Sequence, residues 1–443
     1  SHSQPTRALR GARTFALPQA REGGNTRTEA EKNNYNWYGL PTDKVFTETV
    51  ISAINEEQSY TYLKLGGDFK FHDSYLEYGK MSVAYFTDAF KTSEILADFE
   101  AKLNFPLNFL SNNLNDISVN SGIELLSGTF ANSYDNAGEI KYNLITAKLI
   151  PEYKMEYLGF SLKASLKTFA SLDLENDTTN FFIFPDLFVQ TSLFKKYVGA
   201  YGGYTGNLKT NTYKEFTAEN PFVSPTLLIK QTAESSNLFF GLRGNITRKF
   251  SYNLKVSTKK EENKPLFLRN NSKSDGTTNV SNGEDLKGYD YGNSFNIYYD
   301  DVSSTSIFAE VEYIFDENLT FSSQVQFDNY TTTDAQENWN LPSLQSSFSA
   351  KYKVEKWYTI ANIYHVDERT VALYDAQFPS NIKGIEILNS FVDLNLNGGY
   401  HFNDRFSAFL RLNNILNTEY QRFANFDTQG FQILGGITYK FDF

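Results

Sequence analysis

From Gln429 to Phe443 the chain reads QGFQILGGITYKFDF, and its apolar side chains fall on alternate positions. Phe431, Ile433, Gly435, Ile437, Tyr439, Phe441 and Phe443 share one parity; Gln432, Leu434, Gly436, Thr438, Lys440 and Asp442 share the other. A period of two puts the two sets on opposite faces of a β-strand. The run outlasts the five or six residues usual for strands. The same alternation recurs in Tyr62–Phe71, Ile307–Phe315, Leu319–Asp328, Phe348–Val354 and Val392–Tyr400. Lys64, Asp68, Arg243, Glu310, Lys351, Asp393 and Arg411 stand on the polar parity, where a soluble core needs Val or Leu. Burying such charges unpaired costs several kcal/mol each. A polar lumen removes that cost.

Connections of two lengths separate these strands. Tight ones, such as Asp316–Asn318, Val354–Trp357 and Phe402–Arg405, alternate with long polar ones: Asn207–Ser236, Glu261–Asn293, Thr331–Asn340, Val371–Ile387 and Thr418–Gln429. Short turns at one end and long loops at the other predict an all-β fold, a transmembrane antiparallel β-barrel of the bacterial outer membrane. About 18 crossings are visible, with the first strand expected to close onto the last. Residues 35–443 are read as the barrel. Residues 1–34 hold five of the twelve arginines, show little alternation, and are read as an atypical or incomplete N-terminal segment.

The register predicts Leu65, Val325, Leu394, Ile433 and Ile437 facing lipid, with Lys64, Gln324, Asn395, Gln432 and Lys440 facing the lumen. Aromatics beside the short turns, including Phe71, Phe315, Trp357, Phe402, Tyr439, Phe441 and Phe443, are expected to form an interfacial girdle, with Phe431 opening the closing strand. Phe and Tyr also favour strands in their own right; their clustering beside the turns supports the girdle.

Composition excludes several kinds of chemistry. Without cysteine there is no disulfide scaffold, thiolate zinc site, iron–sulfur cluster or thiol catalysis. A net charge of −11 argues against a nucleic-acid partner held by phosphate neutralisation. The mean hydropathy of −0.44 is compatible with a barrel, whose alternation averages out. The four histidines, His2, His72, His365 and His401, are not placed to converge on a metal or catalytic site. No catalytic residue, metal or cofactor is expected. Asp367, Glu368 and Arg369 read as a solvated cluster at the outer mouth. The segment Asn270–Gly288 reads as a mobile surface loop rather than a calcium loop, with Ser274 accessible to labelling. In Gly199–Asn207 (GAYGGYTGN) no Lys-Ser/Thr follows, so the glycines read as sites of curvature or aromatic packing rather than a phosphate loop.

At the last two strands the pattern becomes more specific. Asn413, Asn414, Leu416, Asn417, Glu419 and Tyr420, followed by the Gly-aromatic closing strand, resemble the C-terminal signature of TonB-dependent outer-membrane receptors. NWYGLP (Asn36–Pro41), YYDDV (Tyr298–Val302) and NWNLP (Asn338–Pro342) resemble a Bacteroidota branch of such barrels. The resemblance implies 22 strands in the intact protein and a lumen filled by a plug. No plug domain or coupling segment is visible in residues 1–57, so energy-coupled uptake is not carried over. The expected function is transport, or service as a barrel subunit of a larger outer-membrane complex. A plug-less diffusion porin and an outer-membrane enzyme are the alternatives. The expected partners are outer-membrane lipid and other outer-membrane or periplasmic proteins; the ligand is not read from the sequence.

Overall fold

Side chains that alternate between apolar and polar satisfy two media only where strands run between them. The computed structural model is a sheet of that kind, and describes residues 13–16, 24–37, 39–41, 44–71, 75–106, 117–194, 197–281, 283–375 and 381–441. In chain order the first strands are β1 (Arg13–Ala16), β2 (Gly24–Asn36), β3 (Glu57–Lys70), β4 (Leu76–Asp88), β5 (Ser93–Phe105) and β6 (Ile117–Phe130). Next come β7 (Ile140–Tyr157), β8 (Phe160–Asp173), β9 (Thr178–Phe194), β10 (Val198–Thr210), β11 (Gln231–Asn245) and β12 (Phe250–Arg269). The small pair β13 (Val280–Ser281) and β14 (Glu284–Asp285) precedes β15 (Phe295–Ile314), β16 (Leu319–Thr332), β17 (Leu344–Val354) and β18 (Trp357–Val366). A hairpin, β19 (Arg369–Tyr374) and β20 (Ile382–Leu388), leads to β21 (Phe391–His401) and β22 (Phe406–Asn413). Last are β23 (Gln421–Phe423), β24 (Phe426–Asp427) and β25 (Gln432–Tyr439). Two short helices, α1 (Glu48–Ala53) and α2 (Tyr213–Glu219), lie in loops.

One antiparallel sheet of 19 strands holds all but the pairs β13–β14, β19–β20 and β23–β24. It is a meander of eighteen long strands, with the four-residue β1 at its start. β2 begins at Gly24, so the sheet reaches back into the first 34 residues. Among the described residues β25 pairs with β22 alone, and β1 with β2 alone. The expected closure of the first strand onto the last is therefore not formed by these strands.

The lipid/lumen alternation holds in the register. Ile433 and Ile437 are 64% and 72% exposed on the outer face; Leu65 and Val325 are exposed beside them in parity, and Leu394 is half-buried. Gln324 lies on the opposite face and donates to Glu310 at 2.7 Å. Glycine opens room on the inner face for aromatic rings from neighbouring strands. A Cβ on Gly241 would lie 2.2 Å from the Tyr201 ring, and one on Gly399 would lie 2.2 Å from Tyr358. Around Gly199–Asn207 the aromatic-packing reading holds, because Phe239 covers Gly203.

Loop lengths separate by end, with three exceptions, one of them the long 106–116 connection between β5 and β6 at the short-turn end. Residues 158–159, 246–249, 315–318, 355–356 and 402–405 make tight connections at one end, whereas 37–56, 211–230, 270–294, 367–390 and 414–431 make long ones at the other. Residues 89–92 and 174–177 are tight turns at the long-loop end. Two expected loops are partly strand. β12 runs on to Arg269, and residues 371–387 contain most of the β19–β20 hairpin.

Candidate functional site

The long loops carry more large apolar side chains than exposed loops need, and these meet across the barrel mouth. One buried cluster joins Trp37, Tyr213, Phe216, Val223, Tyr289, Val371, Phe423 and Phe426 to Tyr60, Phe86, Phe130 and Tyr142 of the wall. The first eight come from five different loops. Phe222 stacks on Phe426 with ring centroids 3.5 Å apart, and Trp37 packs edge-on to Phe222 at 6.2 Å. The Tyr60 hydroxyl donates to the Pro221 carbonyl at 2.7 Å, and Tyr134 donates to the Asn271 carbonyl at 2.6 Å. Gly39 abuts the Asn425 carbonyl so closely that a Cβ would sit 1.9 Å from its oxygen. Elements far apart in the chain thus form one lid that shares its core with the wall.

Charged groups fasten the lid internally. Arg369 donates to the carbonyls of Arg422 at 2.6 Å and Gln421 at 2.7 Å and lies over the Phe391 ring. Burial pulls its guanidinium down to about 10, with Arg422 adding repulsion. Arg269 reaches from the end of β12 to the Ala372 carbonyl at 3.1 Å. Lys273 pairs with Asp290 at 2.7 Å and sits over the Tyr134 ring. Burial holds the Asp290 carboxyl above its usual range despite that cation. The Arg369 and Arg269 contacts cross from one loop to another, which fixes those loops relative to one another.

Two expectations about this region are overturned. Ser274 is fully buried, donates to Thr278 and accepts from the Gly276 N–H; Ser272, Asp290, Asn293 and Ser294 are buried around it. Around Ser274 the Asn270–Gly288 segment is thus packed into the lid rather than accessible, while Gly283–Asp285 are exposed. Its many Ser, Asn and Asp side chains make local turns that hide one another from water. The solvated Asp367–Glu368–Arg369 cluster also fails, because Arg369 is buried on carbonyls and Asp367 accepts from Ser343.

Below the lid, ion pairs line the inner wall. Lys163 and Lys167 flank Asp186 at 3.1 and 3.6 Å, Lys148 contacts Glu100, and Lys259 and Lys264 reach Glu261 at 3.0 and 2.6 Å. The sequence shows none of this pairing: Lys163 and Lys167 meet Asp186 on the neighbouring strand, Lys148 reaches Glu100 across β6, and Lys259 and Lys264 meet Glu261 within β12, and the cross-strand registers depend on turn lengths. A cavity of about 880 Å³ opens on this wall near the short turns, with Gln190, Arg243, Asn253 and Glu310 among its lining. Among the described residues no cluster of His, Asp and Glu suits a metal.

The C-terminal motif residues come together as a turn. Asn414 is buried with φ of 47°; its amide donates to the carbonyls of Thr418 and Gln429, and its Oδ1 accepts from the Thr418 N–H. Asn417, with φ of 50°, accepts from the Phe431 N–H at 2.9 Å. Tyr420 stacks on Phe391 at 3.9 Å and donates to Asp393. Asn413 ends β22, and Leu416 is exposed. Phe431, Tyr439 and Phe441 are exposed, with Tyr439 and Phe441 edge to face at 4.8 Å; Phe443 lies outside the described residues. Phe431 stands at the long-loop end of β25, and Tyr439 and Phe441 stand at the other. His2 and His72 also lie outside the described residues, whereas His365 lies within β18 and His401 ends β21.

No protein-family model matches the sequence, and no curated protein does. Solved structures match the fold. The pyoverdine outer membrane receptor FpvA from Pseudomonas aeruginosa PAO1 aligns with a TM-score of 0.64 at 10% identity, over 97% of this chain and 70% of that one. The ferric enterobactin receptor PfeA from Pseudomonas aeruginosa aligns with a TM-score of 0.63 at 12% identity, over 97% of this chain and 68% of that one. In the FpvAI–pyocin S2 complex the values are 0.62 and 10%, over 96% of this chain and 65% of that one. The chain therefore spans about two thirds of the length of these receptors. At such identities the likeness is one of fold: the barrel of TonB-dependent receptors.

Proposed function

We propose that the chain is an outer-membrane barrel of the TonB-dependent-receptor type, working in transport or as the barrel subunit of a larger outer-membrane complex. Its long-loop mouth faces outward and is shut by its own loops. The observation that carries this reading is the single aromatic core shared by five loops and the wall. An open porin needs a free path past its loops, and loops held by shared core packing and buried hydrogen bonds do not leave one. The exposed aromatics Tyr75, Tyr157, Phe194, Trp357 and Phe441 beside the short turns support an interfacial girdle at the periplasmic side. The motifs at Asn36–Pro41, Tyr298–Val302 and Asn338–Pro342 support the Bacteroidota branch. Structural neighbours include receptors for pyoverdine and enterobactin and a copper transporter, so the shared fold does not select a ligand.

Planar-bilayer recording tests the closed mouth. The intact protein is expected to give no steady conductance, and deletion of residues 213–229 to produce one. Steady conductance from the intact protein would establish the diffusion porin instead.

A further inference from the structure

Between β9 and β10 the wall ladder stops half-way. β8 and β9 are matched from Phe160 with Thr191 to Asp173 with Thr178, whereas β9 and β10 part beyond Leu187 and Tyr204. Toward the long-loop end, among the described residues, Thr178–Asp186 therefore pairs with β8 alone and Thr205–Thr210 with β11 alone. Both β10 and β11 shift register at this level, at Gly206 and Ser235, and bulges of this kind bend a strand. Beyond the bend the pair leans across the lumen face of its neighbours. Gln231 donates to Thr146 of β7 at 2.8 Å and accepts from Ser171 of β8. Lys167 of β8 donates to Thr205 at 2.9 Å and to the Gly206 carbonyl at 3.0 Å, and so props β10 in its parted position. On the outer face of the parted β9, Phe181 and Ile183 are 76% and 65% exposed, which sets the seam within the lipid-facing belt.

An open sheet edge is not tolerated against hydrocarbon; at that depth it rejoins a strand or lines a wetted gap. We infer that the seam is a lateral portal, whose long-loop halves part and rejoin and admit the acyl chain of an outer-leaflet lipid into the wall. This rests on the outer-membrane barrel reading and adds an entrance from the membrane side to a mouth that is shut. The sequence marks the breakpoint. Carried past Tyr204, the register sets Gly206 opposite Pro185; one lacks an N–H and the other a side chain, and both weaken a ladder. The same extension sets Leu208 beside Ile183 on the lipid face and Lys209 beside Phe182 on the lumen face. The period of two in β10 thus suits a rejoined ladder. In the parted position Leu208 is buried with Phe169 and Phe184 instead, so this side chain has an apolar place in either state. An acyl chain fits because β9 is apolar on both faces here. Phe182 and Phe184 stack 6.1 Å apart on the inner parity, which elsewhere along the wall carries charges. At the foot of the seam Lys163 and Lys167 flank Asp186, and these charges end the apolar path.

The test uses the protein folded into phosphatidylcholine vesicles containing a phospholipid with a diazirine at the end of one acyl chain. After illumination, adducts mapped by mass spectrometry are expected on Phe181 and Ile183, and also behind the seam on Phe182, Phe184 or Leu208. Adducts on the outer pair alone overturn the portal and leave the barrel reading standing. Adducts on Phe239 overturn it too, because that lumen-face residue is paired on both sides, with Gly203 and Ser257. No adduct on Phe181 or Ile183 removes the barrel reading and the portal with it. The chain has no native cysteine, so Phe181→Cys combined with Thr210→Cys supplies a lock; the two positions are opposite only in the rejoined register. Diamide is expected to cross-link them and to abolish the adducts behind the seam while those on Ile183 persist. Failure to cross-link means that the halves do not rejoin, and inner adducts that survive the lock mean another route; either result overturns the inference.

Discussion

Gly39 shows how finely the lid is fitted at the level of single residues. Its neighbour across the mouth is a backbone carbonyl, which cannot rotate away as a side chain would. Gly39→Ala is therefore expected to cost about 1–3 kcal/mol, with the loss confined to the lid. Protease cleavage within residues 44–56 should accelerate while the heat-modifiable barrel survives; unchanged cleavage would contradict the contact. Asp290 supplies a pH dependence of definite sign. Burial raises its folded carboxyl above the ordinary 3.8, so the folded state holds the proton more tightly than the unfolded one. Its contribution to lid stability is fully present below about 3.8 and is lost as pH rises through the folded value. In a variant keeping only Trp37 of the three tryptophans, the urea midpoint of the fluorescence change should fall between pH 4.5 and pH 7. Asp290→Asn should flatten that fall.

Single elements decide which parts of the chain were legible in advance. Strands announce themselves because their period of two is local: the alternating runs fall on β3, β15, β16, β17, β21 and β25, although most of these strands extend beyond their runs. The outward face is equally local, and an arginine at Val325, exposed within β16, should cost about 2–4 kcal/mol. The matching change at the exposed, lumen-facing Gln324 should cost far less, as read by folding titration into lipid vesicles; equal costs would contradict the register. The lid was illegible for the opposite reason. Residues 270–294 look like a solvent loop because Ser, Asn and Asp dominate, yet their local turns are tied down by Thr47 at the start of α1, by Tyr134 and by Asn425 between β23 and β24, all far away in sequence. The C-terminal motif fell between these cases: its residues were recognisable, but their work as a turn built on two left-handed asparagines needed the fold. The absence of native cysteine allows a direct check on the lid. Ser274→Cys should react with a maleimide at least about tenfold more slowly than Glu284→Cys, since a buried thiol reacts only through local opening, whereas Glu284 is exposed. Equal rates would restore the mobile loop.

For the whole molecule, barrel wall and lid differ in how far apart in sequence their contacts lie. Nearly every wall pairing joins consecutive strands, so each closes a short loop at small entropic cost. Contacts in the lid join Gly39 to Asn425, across most of the chain, and Phe222 to Phe426, across nearly half of it. Long-range contacts of this kind form slowly and late. The meander can therefore be laid down strand by strand while the mouth stays unsealed, and the seal sets only when the loop before β25 arrives. In the closed-mouth reading proposed above, impermeability is acquired late in biogenesis, and a barrel stalled short of that loop would be a hole in the membrane.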